Sequence, residues 1–143
     1  MSQPETQKTP PPMPAEVEAA FATYPAEAQT LLRTVRDLIF ALSDDNDVGP
    51  LRETLKWGQP AYLTEVSKAG STLRLGTDKT GRPTVFLSCN TTLVEGYRTD
   101  FPSEFAYSGN RALHLEAPLN QAALAQCLSR ALTYHRRKRR TAT

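Results

Sequence analysis

From Pro25 to about Ser43, apolar residues recur at Ala28, Leu31, Leu32, Val35, Leu38, Ile39 and Leu42. That is the i, i+3, i+4, i+7 stripe of a helix with one face on a core, and Arg33, Arg36 and Asp37 fall away from it toward water. A shorter helix is predicted over residues 15–23, with Val17, Ala20 and Phe21 inward and a stop at Tyr24-Pro25. The polar run Ser43-Asp44-Asp45-Asn46-Asp47-Val48-Gly49 then reads as a connection. After it, Pro50 suits the first turn of a helix, Leu51 and Leu55 fall one helical turn apart, and Gly58 suits a left-handed helix stop. Pro60 cannot continue that helix but can open an extended segment, so Trp57 is expected to pack where helix passes into strand.

The period then changes from that of a helix to two. Strands are predicted over about residues 61–66, 72–76 and 84–89, with Leu73, Leu75, Val85, Leu87 and Cys89 on the core face and Arg74 and Phe86 on the other. Thr92 and Glu95 match a capping box, which predicts a short helix to about Thr99. A second hairpin is expected from residues 104–107 and 111–116 around Ser108-Gly109-Asn110, with His114 away from the core. Asn120 caps a last helix, Leu119 and Leu124 form its hydrophobic staple, and Leu124, Cys127, Leu128, Ala131 and Leu132 form its buried stripe. The order of elements predicts an α+β fold, a two-layer sandwich in which a mainly antiparallel sheet of about five strands carries the N- and C-terminal helices on one face.

The run Glu53-x-x-Lys56-Trp57-Gly58-x-Pro60-x-Tyr62 resembles the signature of the YdhG-like family, a domain of unknown function. Asn90-Thr91-Thr92-Leu93-Val94-Glu95-Gly96-Tyr97-Arg98 and Gly109-Asn110-Arg111-Ala112-Leu113 are similar to a subgroup of it, so that the resemblance spans roughly residues 15–135. It implies a frataxin-like arrangement of the sandwich. Some members are described as frataxin-like iron chaperones, which makes iron the cofactor implied.

Composition limits the function classes. At 39% hydrophobic and 22% charged the chain is ordinary globular material, and no apolar run approaches the roughly 20 residues of a membrane span. Three segments are expected: a Pro-rich disordered leader over 1–13 without the apolar region of a signal peptide, one domain over 14–135, and a basic disordered tail over 136–143. A cytoplasmic location follows, and Cys89 and Cys127 are expected to be thiols that act as small buried hydrophobes. Five of the 17 Lys and Arg residues lie in 136–140 and no Asp or Glu follows Glu116, so the remaining 12 basic residues face all 15 acidic ones. The body is therefore mildly acidic, and nucleic acid is an expected partner only through the tail, itself most simply read as a solvated, frayed terminus.

Local order suggests no Cys–His pair, and there is no Gly-rich phosphate loop, no Gly-x-Ser-x-Gly elbow and no His-Glu-x-x-His, so no catalytic residue is assigned. His135 falls in the last turn of the final helix, where it complements the negative helix end. For iron, hard oxygen donors are needed, and the cluster available is Asp44, Asp45 and Asp47, with Asp37 and Glu53 as outlying carboxylates. Arg33 and Arg36 interrupt the acidic ridge that a frataxin-like helix would present, so binding is expected to be weak, and a solvated loop with capping aspartates is the plainer reading. For a small anionic ligand or a protein partner, Trp57, Tyr62 and Phe86 can line an apolar floor while Arg74, Arg98 and Arg111 supply charge, although aromatic residues at such a corner are more often core. The function expected is thus a small-ligand or partner-binding domain, with a weak iron chaperone and a nucleic-acid-touching interaction module as alternatives; oligomeric state and ligand identity stay open.

Overall fold

The structure, a computed structural model, describes residues 10–141. Two helices, α1 (Ala15–Ala22) and α2 (Ala26–Asp45), are followed by strands β1 (Arg52–Lys56), β2 (Gln59–Leu63), β3 (Leu73–Thr77) and β4 (Pro83–Phe86). Helix α3 (Leu93–Asp100), strands β5 (Ala106–Ser108) and β6 (Ala112–His114), and helices α4 (Gln121–Leu132) and α5 (Tyr134–Thr141) complete the fold. The strands make one six-stranded sheet in the order β1-β2-β3-β4-β6-β5, antiparallel throughout. This is the expected α+β sandwich with one strand added. Among the described residues no helix is long and apolar enough to cross a membrane.

The added strand replaces the helix expected over 50–57. Trp57 and Gly58 both have positive φ, 55° and 74°, the pair of left-handed residues that closes a two-residue type I′ hairpin. Lys56 therefore pairs with Gln59, Leu55 with Pro60 and Glu53 with Tyr62. In β1 the residues that share the core side are Glu53 and Leu55, and a carboxylate in that alternation hid the strand period. Trp57 is not at a packed corner: it stands 89% exposed at the hairpin tip.

One sheet face carries the core. Tyr62, Leu73, Leu75, Val85, Leu87, Leu113 and Leu115 pack with Val17 and Phe21 of α1, Leu32, Val35 and Ile39 of α2, and Leu124, Cys127, Leu128 and Leu132 of α4. Arg36, expected in water, is buried on the same stripe as Leu32 and Ile39, because its guanidinium reaches the Glu53 carboxylate. Tyr97 closes α3 onto α4 by donating its buried hydroxyl to the Cys127 carbonyl at 2.5 Å.

Further expectations are revised at the margins. Strand β4 ends at Phe86, so Cys89 falls beyond the sheet and is exposed, whereas Cys127 is core. Helix α3 forms without the capping box: no Thr92 side-chain cap bond is made, and the Leu93 N–H donates to the Thr91 hydroxyl at 3.4 Å. Asn120 does cap α4, its side-chain oxygen accepting from the Ala123 N–H at 3.1 Å. The run expected as a frayed basic tail is helical through Thr141, and His135 lies near the start of that helix rather than in a last turn. Of the expected leader, residues 10–13 are neither helix nor strand, and 1–9 lie outside the described residues.

Candidate functional site

Strand alternation sends a second set of side chains to the face that no helix covers. The registers make two rows across it. One runs Thr54, Ala61, Arg74, Phe86, Ala112, Ser108, and the other includes Gly76, Thr84, His114 and Ala106. Small residues floor this face while three long side chains lie across it. The Arg74 guanidinium sits 5.3 Å from the centre of the Phe86 ring and donates to the Gln59 side-chain oxygen at 2.5 Å. Gly76 makes room for this layer: a Cβ there would come within 2.4 Å of the Gln59 amide nitrogen and 3.2 Å of the Phe86 ring. Burial lowers the Arg74 pKa, and the neighbouring positive charge of Arg111 lowers it further.

Of the six residues expected to line a ligand site, Arg74 and Phe86 are brought together here, and Arg111 is near enough for its charge to act on Arg74. The other three are elsewhere. Tyr62 is wholly buried on the opposite face, edge-on to Phe40 at 5.8 Å and donating to Glu53 Oε2 at 2.8 Å. Desolvation, with the Glu53 charge beside it, pushes the Tyr62 pKa far up, so this hydroxyl stays protonated. Arg98 is in the helical layer, 5.7 Å from the Tyr107 ring, and Trp57 projects from the β1–β2 tip.

His114, on the expected face, is buried, because loop and strand side chains close over it. Its Nδ1 lies 2.9 Å from Thr84 Oγ1 and 3.6 Å from Asp78 Oδ2, and its Nε2 lies 2.6 Å from Ser108 Oγ. Asp78 is anchored by its own turn, since Oδ1 accepts from the Thr80 N–H at 2.8 Å, the Thr80 hydroxyl at 2.7 Å and the Arg82 N–H at 3.0 Å. The Thr80 hydroxyl is the largest cause holding the Asp78 carboxyl down at about 2. Burial lowers the His114 pKa, Arg82 adds to this and Asp78 opposes it. Sequence reasoning missed Gln59, Ser108, Thr84 and Asp78. The one available signal was period two, which places Thr84 on the same face as Phe86 in one strand and His114 opposite Leu113 in another. The contact itself needs the β4–β6 register.

The aspartates of the α2 C-terminus diverge. Asp44 and Asp47 border a surface cavity of about 430 Å³ with Pro11, Phe40 and Leu51, while Asp45 does not line it. Glu53 is taken by Arg36 and Tyr62. Among the described residues no three His, Cys, Asp or Glu side chains gather as metal ligands would. Part of the basic run is also occupied: Arg136 donates to the Asn46 carbonyl at 2.7 Å and the Asp47 carbonyl at 3.3 Å, and Arg137 to the Arg130 carbonyl at 2.8 Å.

Comparison of the chain with protein-family models, with curated proteins and with solved structures finds no match.

Proposed function

We propose that the domain binds a small anionic ligand, or an anionic group of a partner, on the open sheet face. Arg74 and Arg111 supply the charge, Phe86 the apolar floor and Gln59 a neutral hydrogen-bonding group. The observation that carries this reading is the electrostatic isolation of Arg74. Most other arginines with a described side-chain contact have an anion or carbonyls to face: Arg33 meets Glu18, Arg36 meets Glu53, Arg52 meets Glu65, Arg82 meets Asp78, Arg130 meets Asp100, and Arg136 and Arg137 meet backbone carbonyls. Arg74 is half-buried and within reach of the Arg111 charge, and among the described residues neither forms an ion pair with a carboxylate. A partly desolvated cation held against like charge is an arrangement that an anion stabilises from both sides. The fixed fork of a guanidinium suits phosphate or carboxylate oxygens, and the aromatic ring beneath it suits a flat or apolar remainder.

The test is calorimetric titration and thermal melting with inorganic phosphate, citrate and adenosine monophosphate. At least one should bind and raise the melting temperature, and Arg74→Met or Arg111→Met should weaken it about tenfold or more, as loss of a charge-assisted hydrogen bond requires. Without anion, Arg74→Met should melt no lower than wild type, because it removes a half-buried charge that no carboxylate balances, which offsets the lost bond to Gln59. Undiminished anion affinity in both variants would refute the reading.

A further inference from the structure

We propose that Ser108 and His114 form a nucleophile–base pair on the β5–β6 hairpin, with Asp78 and Thr84 as positioning residues, competent to cleave esters of small uncharged acyl groups. The argument begins with the protons. The Thr84 hydroxyl donates its single hydrogen to the Arg82 carbonyl at 3.0 Å, so toward His114 it can only accept. The bond of 2.9 Å between Thr84 Oγ1 and the ring therefore requires the proton on Nδ1, a tautomer assigned from these hydrogen bonds. Nε2 is left with its lone pair, and the group facing it at 2.6 Å is the Ser108 hydroxyl, which donates. A nucleophile bonded to a base, with that base oriented through its other nitrogen, is the geometry by which a weak hydroxyl is activated.

Burial is arranged to match. The imidazole is buried, so its tilt is held, while Ser108 is exposed on an edge strand and open to a substrate. Asp78 contributes through Oδ2, 3.6 Å from Nδ1, its other oxygen being held by Thr80 and Arg82. As the ring takes up a proton, that carboxylate stabilises the imidazolium. The ring pKa is lowered from 6.5, mainly by burial, so the resting ring is the neutral base near pH 7.

Substrate class follows from the surroundings. His114 and Ala106 border a cavity of about 330 Å³ whose walls include Phe105, Ala117 and Pro118. Ser103 and Asn120 line it as well, and its size takes a short acyl chain. Glu104 and Glu116 line the same cavity and disfavour an acyl group with its own carboxylate. In the first step the Ser108 Oγ–carbonyl carbon bond forms while the hydroxyl proton passes to Nε2, and the ester C–O bond then breaks as Nε2 returns that proton to the leaving alkoxide. Water next gives a proton to Nε2 and adds to the acyl carbon. The Ser108–acyl bond breaks, Ser108 recovers the proton, and the net change is ester plus water to acid plus alcohol.

The probes are p-nitrophenyl acetate and p-nitrophenyl butyrate with the full chain. Both are uncharged, so the outcome does not depend on the arginine pair proposed to bind anions. Rapid-quench mass spectrometry should find an acyl adduct on the peptide containing Ser108, and Ser108→Ala, an exposed substitution, should remove it. His114→Gln should slow acylation by about a hundredfold, within the range of general-base catalysis. Acylation should follow a single ionisation below 6.5, that of His114 with Asp78, Arg82, Glu104 and Glu116 around it. Asp78→Asn should lower that inflection, since the carboxylate is the group that raises it; a purely structural Asp78 would leave the inflection in place. Absence of the adduct in the wild type, or acylation of Ser108 at an equal rate in folded His114→Gln, would overturn the proposal.

Discussion

The Arg36 guanidinium and the Glu53 carboxylate meet in a two-pronged ion pair inside the fold, Nε to Oε2 at 2.5 Å and Nη2 to Oε1 at 2.8 Å, with each side chain only 6% exposed. The Tyr62 hydroxyl donates to the same carboxylate at 2.8 Å, and the Pro11 carbonyl accepts from Arg36 Nη2 at 2.8 Å. Glu53 and Tyr62 are cross-strand partners, so the two-residue turn at Trp57-Gly58 brings the Tyr62 hydroxyl to the carboxylate that Arg36 reaches from α2. Removing one member strands the other in the interior. Glu53→Ala should therefore cost about 3–5 kcal/mol in urea unfolding. The triple variant Arg36→Met, Glu53→Leu, Tyr62→Phe should recover most of that loss, because no charge or hydroxyl is then left unpaired. A loss below about 1 kcal/mol for Glu53→Ala would place the pair in water, contrary to its burial.

At the neighbouring turn the expected effect is opposite in sign. Trp57 contributes little packing at 89% exposure, and its φ of 55° is one that an L-residue with a bulky side chain adopts at a cost. Trp57→Asn should match or exceed wild-type stability, by up to about 1 kcal/mol, since Asn-Gly is the preferred pair for a type I′ turn. Gly58→Val should destabilise the hairpin at φ 74°. Paired thermal melts check both, and a marked loss in Trp57→Asn would show that the indole packs against the domain.

Helix α5 is tied to the body through Arg136. Its N–H donates to the Ala69 carbonyl at 2.8 Å, and its guanidinium donates to the Asn46 and Asp47 carbonyls at the end of α2. A cation at a helix C-terminus meets both free carbonyls and the negative end of the dipole. Arg136→Ala should cost about 1–2 kcal/mol, and truncation after His135 should lower the melting temperature by several degrees. Circular dichroism melts decide it; an unmoved midpoint on truncation would mean that α5 contributes nothing to stability.

Stability should decline in two stages as the pH falls. The His114 pKa is depressed from 6.5 in the fold, so the unfolded chain binds the proton first. Its stabilising contribution is complete above 6.5 and is lost as the pH falls below that value through the folded pKa. The Asp78 carboxyl, held at about 2 against 3.8, keeps its contribution above 3.8 and loses it between those limits. Urea midpoints measured from pH 7.5 to 2.5 should show both declines, and His114→Gln should remove only the first. A single decline below 3.8 in the wild type would mean that His114 is as easily protonated folded as unfolded.

Helix α2 shows what a local pattern can determine. Ala28, Leu32, Val35 and Ile39 recur at helical spacing, and that spacing alone requires a face on a core. The stripe of α4, the Asn120 cap and the alternation in β3 and β4 are legible for the same reason, because each depends on residues within one or two turns of the chain. Those features sufficed for the α+β class. Arg36 and Glu53 show the limit: each is a charge at a position whose spacing asks for an apolar side chain, and only the other, 17 residues away, makes burial favourable. Hence the local pattern alone reads β1 as a helix and sends Arg36 to water. The open face divides likewise. Alternation assigns Arg74 and Phe86 to one side of the sheet, but the order β3-β4-β6-β5 decides that they lie in one row with Ser108 and that His114 lies between Thr84 and Ser108. Strand pairing is a long-range choice settled by burial of the whole core face, so neighbours across the sheet are set by tertiary structure, while the period along each strand is set by the sequence itself.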